Sequence, residues 1–302
     1  MPQPDSQKKR RRRTLRPILV LGSARSGSTA LMSLLGGSPR IAFDKRYPYE
    51  SGYLSYLALV ARMIGGQRPR DEEAAAQGRA SLISGVARTL GPVPFDTRGY
   101  LPRALLSAEA MIGLWDGFSR AVIKRAIRAG TEEPTHFAEK AGFFLADFLE
   151  GKIDAQELYL LRDPRDVMLS SKSFNARRGT LRFGWRQGDT DTIYANRFAR
   201  RVRKRLEAAL AVEAGDPRRM MVRYEELALD PEGVAARLSE FLGIALDVGA
   251  QLAARAGHRT SASVAASVGR WRREMDPEIQ AIFDEQLGDV LDRAGYGRAG
   301  PA

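Results

Sequence analysis

The sequence predicts an α/β fold, with a central parallel sheet flanked by helices. Three observations predict it. Short apolar runs alternate with longer helical segments, as strands and helices do in parallel sheets. Two helical segments open on Asp-Pro, at Asp163-Pro164 and Asp230-Pro231, which places Asp at the N-cap and Pro at the first helical position. The turns at 22–28, 162–170 and near 224 follow apolar runs and carry polar residues, and ligands of such sheets bind at strand carboxyl ends.

Residues 17–22 read as a buried strand, being short, apolar and ended by glycine. Residues 28–35 read as a helix closed by Gly36-Gly37, and 41–43 as a second short strand. Residues 53–130 are Ala/Leu-rich and helical in character, broken by Gly65-Gly66 and by Gly91-Pro92-Val93-Pro94. A strand is expected at 157–161, a helix from Asp163, and a mobile Arg- and Gly-rich loop at 176–190. A long helix with a basic face at 194–213, a strand at 219–224 and a helix from Asp230 to Leu242-Gly243 complete the alternation. The expected organisation is a basic disordered arm at 1–16 and a single domain at 17–302, whose helical stretch 53–130 helps bind an acceptor.

The 302-residue chain has no cysteine, which excludes a disulfide framework and a cysteine-ligated zinc site. No apolar run approaches the ~18 residues of a membrane span. The run after the basic arm is too short for a signal peptide, so a cytoplasmic location is expected. The net charge is +12, and residues 1–16 hold seven Lys or Arg against one Asp. Such an arm can touch an anionic surface, but no groove-reading module accompanies it and no specific nucleic-acid partner is expected. A basic body suits a ligand with several anionic groups.

Gly22-Ser-Ala-Arg-Ser-Gly-Ser-Thr29 has P-loop spacing, but Ser28 stands where a P-loop carries lysine. Small residues let the backbone curl its N–H groups inward, and the following helix N-terminus favours anions. Arg25 can supply the missing lysine's charge. Without that lysine, hydrolysis of a nucleoside triphosphate with Mg²⁺ is disfavoured, and a donor with two anionic groups and no metal is favoured. A second anion site is expected at Arg162 and Ser170, since arginine presents a planar fork to phosphate oxygens and a hydroxyl completes the grip. The same letters also describe an N-capped helix whose arginines pair with Asp163 and Asp166.

With both segments in view, the chain resembles the sulfotransferases, of P-loop NTPase-like α/β fold. Ala24-Arg-Ser-Gly-Ser-Thr29 is similar to the family's loop after the first strand, and Arg162-Asp-Pro-Arg with Ser170 to its Arg-Asp-x-Arg strand end and later serine. The resemblance implies 3′-phosphoadenosine 5′-phosphosulfate as co-substrate and no metal. It places the phosphosulfate on Arg25, Ser26, Gly27, Ser28 and Thr29, and the 3′-phosphate on Arg162 and Ser170. Ala138-Glu-Lys-Ala141 resembles the family's Glu-Lys-Thr-Pro segment without its Thr-Pro, and Lys140 is implied to aid the leaving group. Val222-Arg-Tyr-Glu-Glu-Leu227 resembles the Tyr-Glu-x-Leu segment, and Ser267-Val-Gly-Arg-Trp271 the loop that closes over the nucleotide. Tyr224, Ser267 and Arg270 thereby join the donor-binding set.

An acceptor's proton needs a base. Glu50 in Tyr47-Pro-Tyr-Glu50 is the first candidate, with Asp44 and His136 as others; His136 reads as a surface-loop residue, and His258 is the second of only two histidines. Tyr53, Tyr56, Trp115, Phe118 and Trp185 can line an acceptor site or join the core. The acceptor stays open among small molecules, glycans and lipids, through a hydroxyl or an amine. Two other readings stand beside this one. A nucleotide kinase or NTPase with a degenerate P-loop would use Asp163 for Mg²⁺, and a nucleic-acid binder would use the basic arm.

Overall fold

The computed structural model describes residues 14–64, 102–212, 214–249 and 265–297. Five parallel strands form one sheet in the order β2-β3-β1-β4-β5. They are β1 (Arg16–Gly22), β2 (Ile41–Ala42), β3 (His136–Ala141), β4 (Gln156–Leu161) and β5 (Arg219–Arg223). The helices are α1 (Ser28–Leu35), α2 (Tyr53–Ile64), α3 (Arg103–Arg128), α4 (Phe143–Leu149), α5 (Pro164–Arg178), α6 (Asp191–Leu210), α7 (Tyr224–Leu229), α8 (Pro231–Leu242), α9 (Trp271–Glu274) and α10 (Pro277–Arg293). A 3₁₀ turn, Ala265–Ser267, precedes α9.

β1 is central and apolar after Arg16 because both sheet faces are covered. Leu19 and Leu21 pack into one core with α2, α3, α6 and α10, while Ile18 and Val20 pack into the other with α1 and α8. Each leucine buried this way contributes about 1.5–3 kcal/mol. The chain runs from β1 to β2 and β3 on one side, then crosses to β4 and β5 on the other. A topological switch point therefore lies at the carboxyl end of β1, the crevice where open α/β sheets bind ligands.

The expected strands and the Asp-Pro helix starts are present: Asp163 accepts from Arg165 N and Asp230 from Gly233 N. Three features differ from expectation. β3 was not expected as a strand, because His136, Glu139 and Lys140 interrupt its apolar pattern. Glu139 is nevertheless buried, since its carboxylate takes the N-terminal donors of α2: Leu54 N at 2.8 Å, Ser55 N at 2.9 Å and Ser55 Oγ at 2.7 Å. Negative charge is favourable at a helix N-terminus, so the buried carboxylate becomes an anchor. The segment at 176–190 is not loop from its start: α5 continues to Arg178, and Gly179 ends it at φ 58°. The remainder is tied down by Asn175 to Arg182, and by Tyr194 Oη and Arg201, which donate to the Phe183 carbonyl. The long basic helix spans Asp191–Leu210, beginning earlier than 194 because Thr190 caps Ile193 N. Trp115 is core, with its indole N–H donating to the Leu15 carbonyl. Of the arm expected at 1–16, Leu15 is buried and Arg16 begins β1, while residues 1–13 and the glycine breaks at 65–66 and 91–94 lie outside the described residues.

Candidate functional site

The site grows from the carboxyl ends of β1, β3 and β4. At the end of β1, Ser26 donates both its N–H (3.2 Å) and its hydroxyl (2.7 Å) to the Ser23 carbonyl. Ser26 thus closes the loop on itself, and its buried hydroxyl faces inward. Arg25 and Gly27 both adopt positive φ, 68° and 100°. At Gly27 a side chain is excluded twice over, because a Cβ would lie 2.1 Å from the Tyr224 ring. Gly27 caps α1, which begins with Ser28 and Thr29.

The two segments predicted to bind anions are bonded to each other. Arg162 Nη1 donates to the Arg25 carbonyl at 2.8 Å, and Arg25 Nε donates to Ser170 Oγ at 3.3 Å. Arg162 is buried and stacks on Tyr224, 4.1 Å from its centroid. Its Nη2 donates to the Ser267 carbonyl at 3.0 Å, while Nε is buried without a partner. Two of its donors therefore shape the site, and the rest of the fork is available to an anion. Burial, and then Arg162, pushes the Arg25 guanidinium below its ordinary pKa.

On β3, Glu139 and Lys140 point to opposite faces, as neighbours on a strand do. Lys140 Nζ donates to Thr29 Oγ1 at 2.9 Å and to the Pro48 carbonyl at 2.6 Å, and lies 3.4 Å from Glu50 Oε1. Burial lowers its pKa, against a smaller opposing effect of Glu50. Glu50 is 65% exposed on its side chain. Arg46 grips both oxygens of Asp44 and holds its pKa at about 2, which disfavours it as a base. His136 is not a surface-loop residue. It starts β3, paired in register with Arg16 at the amino edge of the sheet, away from the loop. Burial, then Arg16, lowers its pKa to about 4. His258 lies outside the described residues.

The C-terminal segment reaches the same crevice. Tyr224 Oη and Ser267 Oγ are 2.8 Å apart, and Arg270 Nη2 donates to Ser173 Oγ at 3.3 Å while pairing with Glu274. What holds this segment is a residue the site prediction missed. Asp166, fully buried on α5, accepts from Gly269 N at 2.7 Å and Trp271 N at 2.9 Å. Burial and then Asp163 raise its pKa, against those two bonds. Three residues after the helix N-cap, an Asp reads as an ordinary first-turn acid; only the fold brings the distant loop to it. The arginine that pairs with Asp163 is Arg165, through Nε at 3.0 Å and Nη2 at 2.8 Å, with Trp271 stacked 3.5 Å away. Asp163 is thus committed to a guanidinium. Among the described residues, no group of three or more His, Asp or Glu could hold a metal ion.

Aromatic side chains flank the crevice. Arg25 lies 4.9 Å from the Phe174 centroid and 5.8 Å from that of Phe183. Tyr53 and Tyr56 are about half exposed, and Tyr53 packs on Phe118 at 5.4 Å. Trp185 stacks on Tyr194 at 3.9 Å and donates to Ser171 Oγ.

Comparison with known proteins gives one family: the model described as the sulfotransferase family matches residues 17–248. No curated protein sequence matches the chain. Similar solved structures include a sulfotransferase domain from the Synechococcus PCC 7002 olefin synthase, 22% identical over 90% of this chain and 95% of that one, with a TM-score of 0.49. A sulfotransferase from Alicyclobacillus acidocaldarius is 18% identical over 94% and 97%, TM-score 0.46. Retinol dehydratase in complex with androsterone and inactive cofactor PAP is 19% identical over 92% and 82%, TM-score 0.48.

Proposed function

Because the chain belongs to the sulfotransferase family, we propose that it transfers a sulfuryl group from 3′-phosphoadenosine 5′-phosphosulfate to a hydroxyl or amine acceptor. The observation that carries this reading is the direct bonding of two anion-binding segments, Arg162 to the Arg25 carbonyl and Arg25 to Ser170, across adjacent strand ends. A donor with phosphate groups at both ends of its ribose needs two such sites side by side. The unpartnered Nε of buried Arg162 fits an added anion.

The phosphosulfate end belongs to the loop from Ser23 to Thr29: backbone N–H groups, the N-terminus of α1, and the hydroxyls of Ser28 and Thr29. Ser26 contributes by closing that loop. The 3′-phosphate belongs to Arg162 and Ser170, with Tyr224, Ser267 and Arg270 forming the adjoining wall. Transfer breaks the bond between sulfur and the bridging oxygen of the 5′-phosphate and forms one between sulfur and the acceptor oxygen. Negative charge then grows on the leaving phosphate, where Lys140, anchored on Thr29, and Arg25 stabilise it. Glu50, beside Lys140, takes the acceptor's proton. The acceptor enters from the side of α2 and the Phe174–Phe183 pair, as a small molecule, glycan or lipid. The chain acts as one domain from residue 17 onward and works in the cytoplasm; no described helix is long and apolar enough to cross a membrane.

Thermal stabilisation by 3′,5′-adenosine bisphosphate against ATP, with EDTA present, tests the donor. The bisphosphate is expected to stabilise the wild type and not Arg25→Ala or Arg162→Ala. Stabilisation by ATP that requires magnesium would replace this reading with a nucleotide kinase.

A further inference from the structure

The donor leaves part of the positive charge at this crevice unmatched. Residues 173–188 contain Arg177, Arg178, Arg182 and Arg186 and no Asp or Glu. The next carboxylates, Asp189 and Asp191, are already paired with Arg197 and Lys172. Among the described residues, Arg178 and Arg182 are exposed and no carboxylate pairs with their side chains, whereas Arg197, and then Arg186, hold the Asp189 carboxyl below its ordinary pKa. This charge continues that of the reaction centre. Phe174 carries Arg25 4.9 Å from its centroid and Arg178 5.5 Å from it. Phe183 meets Phe174 edge-on at 5.2 Å and directly follows Arg182, whose backbone is fixed by Asn175. The segment is thus held in place, with Arg25 and Arg178 on the Phe174 ring and the backbone of Arg182 fixed beside Phe183.

Resting on the sulfotransferase reading, we propose that the acceptor itself carries an oxyanion, a carboxylate, sulfate or phosphate. Arg178 and Arg182 hold it while the acceptor's apolar body lies on Phe174 and Phe183. The donor's own anions are accounted for by the loop, Lys140, Arg162 and Ser170. Guanidinium forks grip two oxygens of a carboxylate, sulfate or phosphate at once, and the aromatic rings favour a flat apolar body between the anion and the reacting hydroxyl. Fixing the rings and the arginines on one segment sets the distance from anion to hydroxyl.

The test compares 2-naphthol with 6-hydroxy-2-naphthoate and 6-hydroxynaphthalene-2-sulfonate, by calorimetry on the full chain saturated with 3′,5′-adenosine bisphosphate. At least one anionic probe is expected to bind about tenfold tighter than 2-naphthol, the scale of one charge-assisted contact. Arg178→Ala/Arg182→Ala is expected to abolish that preference while bisphosphate affinity stays within about twofold. Which anion gains more separates carboxylate from sulfo recognition. Equal binding of all three probes, including none, overturns the proposal, as does a preference that survives in the double variant. A large loss of bisphosphate affinity in that variant assigns the arginines to the donor and also overturns it. Absence of any bisphosphate binding by the wild type instead removes the sulfotransferase reading beneath it.

Discussion

In the proposed reaction Lys140 stabilises the leaving group, and its environment suits that role. It is largely buried, tied to Thr29 and the Pro48 carbonyl, and close to Glu50. Lys140→Met keeps the bulk and removes the charge, so the loss should fall on the transition state. The expected result is a drop in kcat of about 10²- to 10³-fold, the scale of one missing charge stabiliser, with bisphosphate affinity nearly unchanged. An equal loss in bisphosphate affinity would show that Lys140 binds the ground state instead. His136 illustrates the opposite case, a histidine whose perturbation is structural. Its folded pKa is about 4 against an ordinary 6.5, so the unfolded chain binds the extra proton first as pH falls. Its contribution is fully present above 6.5 and is lost as pH drops toward about 4. Urea midpoints across that window should fall more steeply for the wild type than for His136→Phe, while the two variants' donor binding at neutral pH stays alike. Parallel slopes would show that burial does not depress this group.

At the scale of elements, the donor site depends on segments that are distant in sequence. Asp166 on α5 holds the loop before α9 by two backbone N–H groups, and that loop carries Ser267 and Arg270. Asn at 166 keeps the shape but turns an amide N–H₂ toward one of those donors. Asp166→Asn is therefore expected to raise the donor KM about tenfold, the scale of one lost charged hydrogen bond, and leave kcat within about twofold. A fall in kcat with unchanged KM would place Asp166 in the chemistry rather than in positioning. The phosphate loop was legible because its glycines and hydroxyls sit within eight residues of one another. Asp166 and Glu139 were not, because a buried carboxylate declares its role only through its partners. Glu139 lies 85 positions from Leu54, whose N–H it accepts. The loop after Arg178 misled for a related reason: Gly and Arg suggest mobility, but Asn175, Tyr194 and Arg201 supply its missing hydrogen bonds.

At the scale of the molecule, the amino and carboxyl edges of the sheet lie far apart. The site occupies the carboxyl ends of the strands, whereas Thr14 and Leu15 enter β1 at its amino end, about 20 Å away at the usual strand rise. Removing residues 1–13 should therefore leave bisphosphate affinity within about twofold at moderate ionic strength, where charges that far apart are screened. A tenfold or greater loss on titration would show that the basic arm reaches the crevice.

The sequence by itself determined the α/β class, the strand-loop-helix at 17–35, the Asp-Pro helix starts and the family. These rest on local rules: apolar runs, small residues in a tight turn, and caps within a few residues of what they cap. Tertiary structure alone decided the place of β3 beside β1, which brings Lys140 onto Thr29, and the joining of Arg162 to Arg25. It also showed His136 buried at the far edge of the sheet and Asp44 paired with Arg46, which disfavours both as the base. Such contacts form between residues far apart along the chain, and a linear pattern holds no record of which buried polar groups will satisfy one another.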